Sequence, residues 1–493
     1  MKSTNLLLTL VLFLVSFHGI CQTRIYFQDS TIYALGEVVD GNPNGIWKYY
    51  DVKTSKLIQE GEFANEKLEG TWVYYHENGA VQSWQEYTKG IKNGNQKSYY
   101  EDGVLKTEGG YKQGVKSGKW INYYPNGNIE TEVFYKNDLP DGVVHVKNYF
   151  GNIMKTTTFQ DGLRNGKYVE YFIDGTISIQ GVYKDDKEDS VWTVYSPMGI
   201  LLESKSFYNG LQNGPWLAYN EYGILIGSKP YSKGLPDGKW EEFHINKKPK
   251  SIVYYLNGFE EGMYLEYYRN GRISVKGNFS IGLKTGNWIT YFQTAKTYSI
   301  GHYVDGKESG LWKFFHSNGA LSDEGKYLNG KEQGQWVRYY DNSQLKSIGS
   351  FDMGKENGNW GIFHTTGRLM QEEVWKNGKL WNVSVVTLID GKIKEPGNFK
   401  NGAGTKLNYY PDGNLEISCN FKSGQPHGKW KYYYESGELA EEGIFDTGYK
   451  TGQWITFHKN GNKESEGRYL NDVKIGTWKF FSRSGTLIRS EIN

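Results

Sequence analysis

Five histidines recur at one position of a repeated pattern and are the first candidates for chemistry. They are His76, His244, His316, His364 and His458. Tyr or Phe fills this position in other copies, as at Tyr124 and Phe172. Successive copies of a two-stranded unit lie about 10 Å apart, whereas zinc ligands must lie about 2 Å from one ion. We therefore interpret the column as an aromatic position that accepts His, and we predict no metal site.

Glutamates form a second column, at Glu108, Glu132, Glu324, Glu372, Glu442 and Glu466. Neighbouring members would lie about 10 Å apart, slightly beyond the separation of about 6.5–9.5 Å in an inverting glycosidase. A repeat also gives every carboxylate the same environment, while catalytic pairs need unlike ones. Neither a P-loop ending nor a Gly-x-Ser-x-Gly elbow occurs. We expect solvated or cross-strand-paired carboxylates, no enzyme and no cofactor.

The elements that carry these columns must be short strands joined by tight turns. The 493 residues include 62 Gly, 40 Tyr, 16 Trp and 23 Phe, but only 11 Pro. This composition is typical of an all-β protein and unlike that of disordered chains. The 57 basic residues nearly balance the 55 acidic ones, so no nucleic-acid partner is predicted.

Residues 1–21 are interpreted as a signal peptide. An apolar run over residues 6–15 follows a basic residue, and small residues precede a cut before Gln22. The protein is then exported to a periplasm, a cell surface or the medium. A lipid anchor at Cys21 and an uncleaved anchor stay open as alternatives. If Cys21 is removed, Cys419 is the only thiol and no intrachain disulfide can form.

The rest of the chain is one repeat of 24 residues. A leading glycine recurs from Gly45 to Gly476, with Ser190 and Asn382 in its place twice, and the step is 24 except for one 25-residue step after Gly45 and one 22-residue step before Gly404, which gives 19 units. Trp fills the position two residues after the leading glycine in 13 units, among them Trp72, Trp120, Trp312, Trp336 and Trp454. An aromatic residue follows 15 residues later in nearly every unit. Residues 22–44 are a partial repeat or cap, 45–403 the array, and 404–493 its continuation.

Each unit is predicted to be a β-hairpin that needs its neighbours for stability. Asn-Gly or Asp-Gly at its tip, ending in glycines such as Gly127, Gly319 and Gly461, favours a type I′ turn with positive φ at both residues. With a two-residue loop, Ser317 faces Ala320, Trp312 faces Gly325 and Lys313 faces Glu324. A glycine opposite Trp would leave bare backbone for the indole to lie on. We expect an elongated, solenoid-like stack of about 19 hairpins.

The segment Glu-Gly-x-Tyr-x-x-Gly-x-x-x-Gly-x-Trp, as in residues 324–336, resembles the MORN repeat. The 24-residue form with Trp-x-x-Tyr-Tyr-x-Asn-Gly is similar to its bacterial variant, which is sometimes labelled antitoxin-like. The resemblance covers residues 36–493. It implies stacked antiparallel hairpins, no catalysis, and a scaffold for contacts between proteins, with membrane association in some members.

The leading functional hypothesis is an exported, non-enzymatic scaffold that binds another protein. A module that binds glycans or the cell envelope through exposed aromatics is one alternative, and an antitoxin-like inhibitor of a protein toxin is another. A uniform array offers little to fix a partner's register, so the divergent unit at 379–403 is the candidate contact. Its candidate residues are Trp381, Asn382, Ser384, which replaces the column Trp, and Pro396.

Overall fold

Every regular element that the structure describes is a β-strand, as predicted for an all-β stack of hairpins. The computed structural model describes residues 23–26 and 31–493. The predicted signal segment, Cys21 and the cut before Gln22 lie outside the described residues. Within them, no helix has the length and apolarity that a membrane span requires. The chain divides into two compact parts, each of many repeats, which we call the first unit and the second unit. The first unit ends at Gly238, and the second runs from Lys239 to Asn493.

The first unit contains twenty of the described strands. They are β1 (Thr23–Tyr26), β2 (Ile32–Val39), β3 (Asn42–Asp51), β4 (Leu57–Ala64), β5 (Lys67–Tyr75), β6 (Val81–Thr88), β7 (Ile91–Tyr99), β8 (Leu105–Lys112), β9 (Val115–Tyr123), β10 (Ile129–Lys136), β11 (Leu139–Pro140), β12 (Gly142–Lys147), β13 (Ile153–Gln160), β14 (Leu163–Tyr171), β15 (Ile177–Lys184), β16 (Lys187–Tyr195), β17 (Leu201–Tyr208), β18 (Leu211–Tyr219), β19 (Leu225–Ser232) and β20 (Leu235–Pro236).

The remaining described strands lie in the second unit, apart from the first residue of β21. They are β21 (Gly238–Phe243), β22 (Pro249–Leu256), β23 (Phe259–Tyr267), β24 (Ile273–Ser280), β25 (Leu283–Tyr291), β26 (Thr297–Val304), β27 (Lys307–Phe315), β28 (Leu321–Leu328), β29 (Lys331–Tyr339), β30 (Leu345–Asp352), β31 (Lys355–Glu356), β32 (Gly358–Phe363), β33 (Leu369–Lys376), β34 (Lys379–Val383), β35 (Val386–Thr387), β36 (Ile393–Lys394), β37 (Gly404–Tyr409), β38 (Leu415–Lys422), β39 (Gln425–Tyr433), β40 (Leu439–Asp446), β41 (Tyr449–Phe457), β42 (Lys463–Leu470), β43 (Val473–Phe481) and β44 (Leu487–Ile492).

Strands pair antiparallel with the strands that precede and follow them in sequence, so each unit is built from hairpins in chain order. In the pair β27–β28, Trp312 lies opposite Gly325 and Lys313 opposite Glu324, which confirms the predicted register. The same register recurs between β39 and β40, where Lys431 lies opposite Glu442. The 24-residue period of the sequence is therefore the period of the hairpins.

The prediction of a type I′ turn at Asn318–Gly319 is wrong. The N–H of Gly319 donates to His316 O at 2.8 Å, and the N–H of His316 donates to Ala320 O at 2.8 Å. The loop between His316 and Ala320 therefore has three residues, of which only Gly319 has positive φ (97°). This is a type I turn followed by a left-handed residue. Ser322 is an extra residue in β28, and this bulge restores the register beyond it. The predicted pairing of Ser317 with Ala320 is therefore absent, although the rest of the register holds.

Type I′ turns do occur, in the other connection of each repeat. Between β28 and β29, Leu328 pairs with Lys331 across two residues, Asn329 (φ 52°) and Gly330 (φ 79°). Both central residues have positive φ, so this loop is a type I′ turn, the kind whose backbone twist matches that of the flanking strands. Two kinds of turn thus alternate along the chain.

The leading glycine marks a bulge inside the strand rather than a turn. Gly310 has φ 68° and lies where the β26–β27 pairing shifts from His302–Ser309 to Ile300–Lys313. Nothing lies within 4 Å of the Cβ that a larger residue would carry there. Backbone conformation, not space, therefore selects glycine at this position, and Ser190 takes the same conformation at φ 59°.

The core is a row of indoles, most of which lie on a glycine of the preceding strand. Trp72, Trp120, Trp312, Trp336 and Trp454 are all buried. A Cβ added to Gly301 would lie 1.9 Å from the ring of Trp312, and one added to Gly325 would lie 2.1 Å from the ring of Trp336. Each of these indoles therefore covers the glycine eleven residues before it. The sequence suggested instead that Trp312 lies on Gly325, the glycine that faces it in the next strand, and this expectation is wrong.

Aromatic residues of the second column separate successive indoles. Tyr327 makes edge contacts with Trp312 at 5.8 Å and with Trp336 at 5.2 Å between ring centres. Such perpendicular pairs are each worth about 0.5–1.5 kcal/mol beyond the burial of their area. Since Tyr327 contacts the indoles of two repeats, the stability of one repeat depends on its neighbour.

Candidate functional site

The histidine column is a set of donors that join each repeat to the next. Nε2 of His76 lies 3.0 Å from the carbonyl oxygen of Tyr99, and Nε2 of His316 lies 3.0 Å from that of Tyr339. Both carbonyls lie 23 residues along the chain. Because a carbonyl oxygen can only accept, each Nε2 carries the proton. The same bond joins His244 to Tyr267, His364 to Thr387 and His458 to Phe481.

Tyrosines in this column make the same contact through their hydroxyl groups. Tyr124 donates to the carbonyl of Lys147 at 2.9 Å, and Tyr340 to that of Phe363 at 2.9 Å. The position therefore favours a ring with a donor at its tip, a reason that the sequence interpretation missed. Among the described residues, no group of three or more His, Cys, Asp or Glu side chains could hold a metal ion.

The glutamate column is engaged in contacts across strands. Glu108 accepts a 2.7 Å hydrogen bond from the hydroxyl of Tyr123 and lies 3.1 Å from the ammonium of Lys97. The bond from Tyr123 is the largest cause that lowers the pKa of Glu108 below its usual 4.5, and Lys97 adds to it. In the same column, Glu324 lies 3.6 Å from Lys313. These carboxylates stabilise the pairing of strands.

The hydrogen-bonded ladder breaks within residues 379–404, which we call the interrupted repeat. There β34 pairs with β33, β35 and β36 pair with each other, and β37 begins a separate eight-stranded sheet that ends at β44. Two isolated bridges, Gly397–Lys406 and Lys400–Ala403, stand in place of the regular pairing. Pro396 lies between β36 and β37, and its missing N–H donor is one cause of the open ladder.

The shortened step before Gly404 leaves the turn intact. Asn401 and Gly402 have φ of 54° and 75°, as in the other type I′ turns. The missing residues are those that correspond to Glu332 and Gln333 of a regular repeat. The chain therefore enters β37 two residues early, and the register of a regular repeat cannot be kept.

Two of the four candidate contact residues hold the turn of the interrupted repeat. Trp381 is half-buried, with the ammonium of Lys376 4.2 Å from its ring centre, and its carbonyl accepts from the N–H of Gly402 at 2.8 Å. Asn382 Oδ1 accepts from the N–H of Asn401 at 2.8 Å. Both residues therefore tie β34 to the turn at 401–402.

The other two candidates, Ser384 and Pro396, accept backbone hydrogen bonds from strands on either side of the break. Ser384 Oγ accepts from the N–H of Glu372 at 2.9 Å. Pro396 is buried, and its carbonyl accepts from the N–H of Leu407 at 2.8 Å. All four candidates thus lie in the interrupted repeat, but Pro396 presents no surface to a partner.

A buried ion pair spans the break. Glu373 of β33 and Lys406 of β37 lie 3.4 Å apart, and their side chains are only 14% and 12% exposed. Glu373 also accepts from the indole N–H of Trp375 at 2.9 Å, and Lys406 donates to Asn408 at 2.7 Å. Sequence reasoning missed this pair. The signal was that Lys406 occupies the column position of Trp, two residues after Gly404.

Cys419 pairs with Lys406 in register and takes the place of the glycine in that column. It is buried, and burial raises the pKa of its thiol to about 12 against a smaller opposing effect of Lys406. Phe399 lies nearby in the fold and packs edge-on against Phe421 at 5.0 Å. Together these residues form a local core that replaces the missing indole.

Three apolar side chains of the interrupted repeat are exposed to solvent. Val385 is 41%, Ile389 38% and Ile393 66% exposed. They lie in and beside the short β35–β36 hairpin, whose strands have two residues each. A regular repeat has no such hairpin of two-residue strands, so the interrupted repeat is distinguishable from its neighbours.

Comparison with known proteins finds matches to one kind of repeat and no activity. No curated protein matches the sequence significantly. The chain is similar to a TcdB2–TccC3–Cdc42 complex at 11% identity, over 94% of this chain and 31% of that one, with a TM-score of 0.13. It is also similar to a Tc holotoxin pore of Photorhabdus luminescens at 11% identity, over 94% of this chain and 29% of that one, again with a TM-score of 0.13. The chain spans about a third of those chains, and such TM-scores establish neither a common fold nor a function.

The family model described as the MORN repeat variant matches seven segments: 68–88, 92–113, 116–137, 332–353, 404–423, 426–446 and 450–471. These segments make up less than a third of the chain and lie on both sides of the interrupted repeat. Each covers a hairpin closed by a three-residue turn, as 332–353 covers β29 and β30. The chain carries MORN repeat variants at seven places along its length.

Proposed function

We propose that this protein is an exported, non-enzymatic repeat scaffold that binds another protein through the interrupted repeat. The observation that carries the proposal is the broken ladder with Val385, Ile389 and Ile393 exposed beside it. A partner that docks at one place on a periodic surface needs an irregular feature to fix its register. Apolar side chains grouped at such a feature are suited to the desolvated centre of an interface.

The glutamate and histidine columns support the absence of catalysis in this proposal. Their members lie in equivalent surroundings and contact neighbouring backbone, tyrosines or lysines, as Glu108 and His316 do. Catalytic acid and base pairs require environments that separate their pKa values. A repeat scaffold therefore accounts for these residues without a reaction.

Substitution of Ile393, the most exposed of the three apolar residues, tests the proposed contact. Mature protein is immobilised and exposed to an envelope fraction of the producing cell, and bound proteins are quantified by mass spectrometry and then titrated in purified form. We expect Ile393→Asp to weaken binding of the recovered partner about tenfold or more, as for an interface anchor. Equal affinity of Ile393→Asp and the parent chain would contradict the proposal.

A matched control separates loss of a contact from a general effect of charge. Ile281 is 70% exposed in the type I′ turn between β24 and β25, a regular part of the second unit. Ile281→Asp makes the same change, and we expect it to bind the partner as the parent does. If both variants lose binding alike, the contact is not specific to the interrupted repeat.

Export is tested independently of binding. The signal segment predicts a mature N-terminus at Gln22. N-terminal sequencing of protein from envelope and cytoplasmic fractions should give this start. Intact Met1 on cytoplasmic protein would overturn export and favour the antitoxin-like alternative.

A further inference from the structure

In one repeat of the first unit, glutamines replace both members of the glycine–indole pair. Gln96 of β7 occupies the Trp position, two residues after Gly94, and Gln85 of β6 occupies the glycine position. The two glutamines lie opposite each other in the β6–β7 ladder. Gln85 is 4% exposed, and its Oε1 has no hydrogen-bond partner among the described residues. The row of indoles is therefore replaced at this step by two amides.

A cavity of about 300 Å³ lies beside Gln96, between residues of β7, β8, β9 and β10. Gln96 and Ser98 of β7, Thr107 of β8 and Asn122 of β9 line it with amide and hydroxyl groups. Its volume is at the lower end of the range for small-molecule sites, about 300–1,000 Å³. The cavity is lined within the first unit alone.

Aromatic rings supply the other walls. Tyr111 makes an edge contact with Trp120 at 5.2 Å, but on its other side Gln96 stands where a regular repeat has a second indole. Tyr135 lies 6.2 Å from Trp120, and the ammonium of Lys116 lies over both rings, 4.3 Å from the centre of Trp120 and 4.9 Å from that of Tyr135. The walls thus combine aromatic carbon with polar groups.

The polar groups offer both donors and acceptors. Thr107 donates to Asn122 Oδ1 at 3.0 Å, and Asn122 donates to Thr131 at 2.6 Å, so the amide is held in one orientation. The described residues that line the cavity carry no carboxylate, and their one charged group, the ammonium of Lys116, lies against the rings of Trp120 and Tyr135. Neutral donors and acceptors beside aromatic carbon match a ligand whose hydroxyl groups both donate and accept and whose ring carries C–H faces.

We propose that the cavity at Gln96, the Gln96 cavity, binds a neutral saccharide unit. This site is separate from the interrupted repeat and does not depend on the proposed protein contact. Amide and hydroxyl side chains would take the sugar hydroxyls, and Tyr111 and Tyr135 would contact the ring carbons.

Filling the Gln96 cavity tests the proposal without exposing a core. The variant Ser98→Phe places a ring in the cavity, as Phe314 does at the equivalent position, where its ring centre lies 6.0 Å from that of Trp312 and 6.4 Å from that of Trp336. Binding of neutral tetrasaccharides of glucose, galactose, mannose and N-acetylglucosamine is measured by calorimetry and by saturation-transfer NMR. We expect saturable binding of at least one of them by the parent, and a loss of affinity of tenfold or more in Ser98→Phe.

Asn122→Ala provides a second test that leaves the cavity open. Thr290 holds the equivalent position in a repeat that has Trp288 in its column, and it makes a 2.6 Å hydrogen bond with Ser299. Thr290→Ala is therefore the matched control. Weaker saccharide binding in Asn122→Ala with unchanged binding in Thr290→Ala supports the site. No saturable binding by the parent at millimolar saccharide, or equal binding after the cavity is filled, overturns it.

Discussion

At the residue scale, a hydrogen bond from a ring tip to the next repeat explains a column that looks merely aromatic in the sequence. His316→Phe removes the donor to Tyr339 O and leaves the carbonyl without its 3.0 Å partner. We expect the free energy of unfolding to fall by about 1–3 kcal/mol, the cost of an unsatisfied buried acceptor. His316→Tyr should be close to neutral, because Tyr340 makes the equivalent bond one repeat later. Chemical denaturation measures both, and equal losses would contradict the role of the ring tip.

Also at the residue scale, two adjacent glycines, Gly109 and Gly110, test whether the indole of Trp120 requires a glycine beneath it. A Cβ on Gly109 would lie 2.1 Å from the ring of Trp120, whereas one on Gly110 would lie 3.4 Å from its nearest neighbour, the carbonyl oxygen of Ser117. Overpacking of this kind costs about 1–3 kcal/mol or more. We expect Gly109→Ala to lower the melting temperature of its repeat clearly and Gly110→Ala to leave it nearly unchanged. A similar effect of both would mean that the indole moves freely off its glycine.

At the element scale, a hairpin is stabilised by carboxylates that stay ionised. Glu108 has a pKa below its usual 4.5 because of Tyr123 and Lys97, so it binds a proton more weakly in the folded chain than in the unfolded one. Its contribution is present above the unfolded pKa and is lost as the pH falls through the folded pKa. We expect Glu108→Gln to lose less stability than the parent when denaturation is compared at neutral pH and at acid pH below 4.5. Parallel losses in the two proteins would contradict this linkage.

The period, strand order and register of the hairpins could all be predicted from the sequence, but the turns could not. Asn318–Gly319 and Asn329–Gly330 have the same dipeptide, yet the first closes a three-residue loop and the second a type I′ turn. What separates them is the bulge at Ser322, which depends on the pairing of whole strands. Pro396 and Ser384 indicated the interrupted repeat in the sequence, because each departs from the residue types of its column. Glu373 could not be foreseen as a partner of Lys406, since it lies in a regular repeat.

At the scale of the whole molecule, strands contact mainly their neighbours in sequence, so stability is expected to be a sum of repeat and interface terms. Within the second unit, the Glu373–Lys406 pair joins the strands before the break to the sheet β37–β44. Glu373→Gln leaves the buried ammonium of Lys406 uncompensated, which costs about 3–5 kcal/mol. We expect hydrogen exchange in β37–β44 to become faster, with an earlier separate step in denaturation.

An exposed pair serves as the control for this prediction. Lys313 and Glu324 are 3.6 Å apart with side chains 42% and 28% exposed, and pairs of this kind contribute at most about 1 kcal/mol. Glu324→Gln should therefore leave the denaturation profile almost unchanged. If Glu373→Gln behaves in the same way, the buried pair does not couple the two sheets.

The bond from ring tip to carbonyl also has a genetic consequence. Since each donor reaches a carbonyl 23 residues ahead, and equivalent carbonyls recur every 24 residues, loss or duplication of one 24-residue unit leaves every remaining donor beside a suitable acceptor. Recombination between the gene's own repeats can therefore change copy number without creating an unfamiliar junction. Gains and losses in multiples of 24 should be tolerated. A 22-residue step, such as the one before Gly404, should instead bring with it a break in the ladder and a rebuilt core.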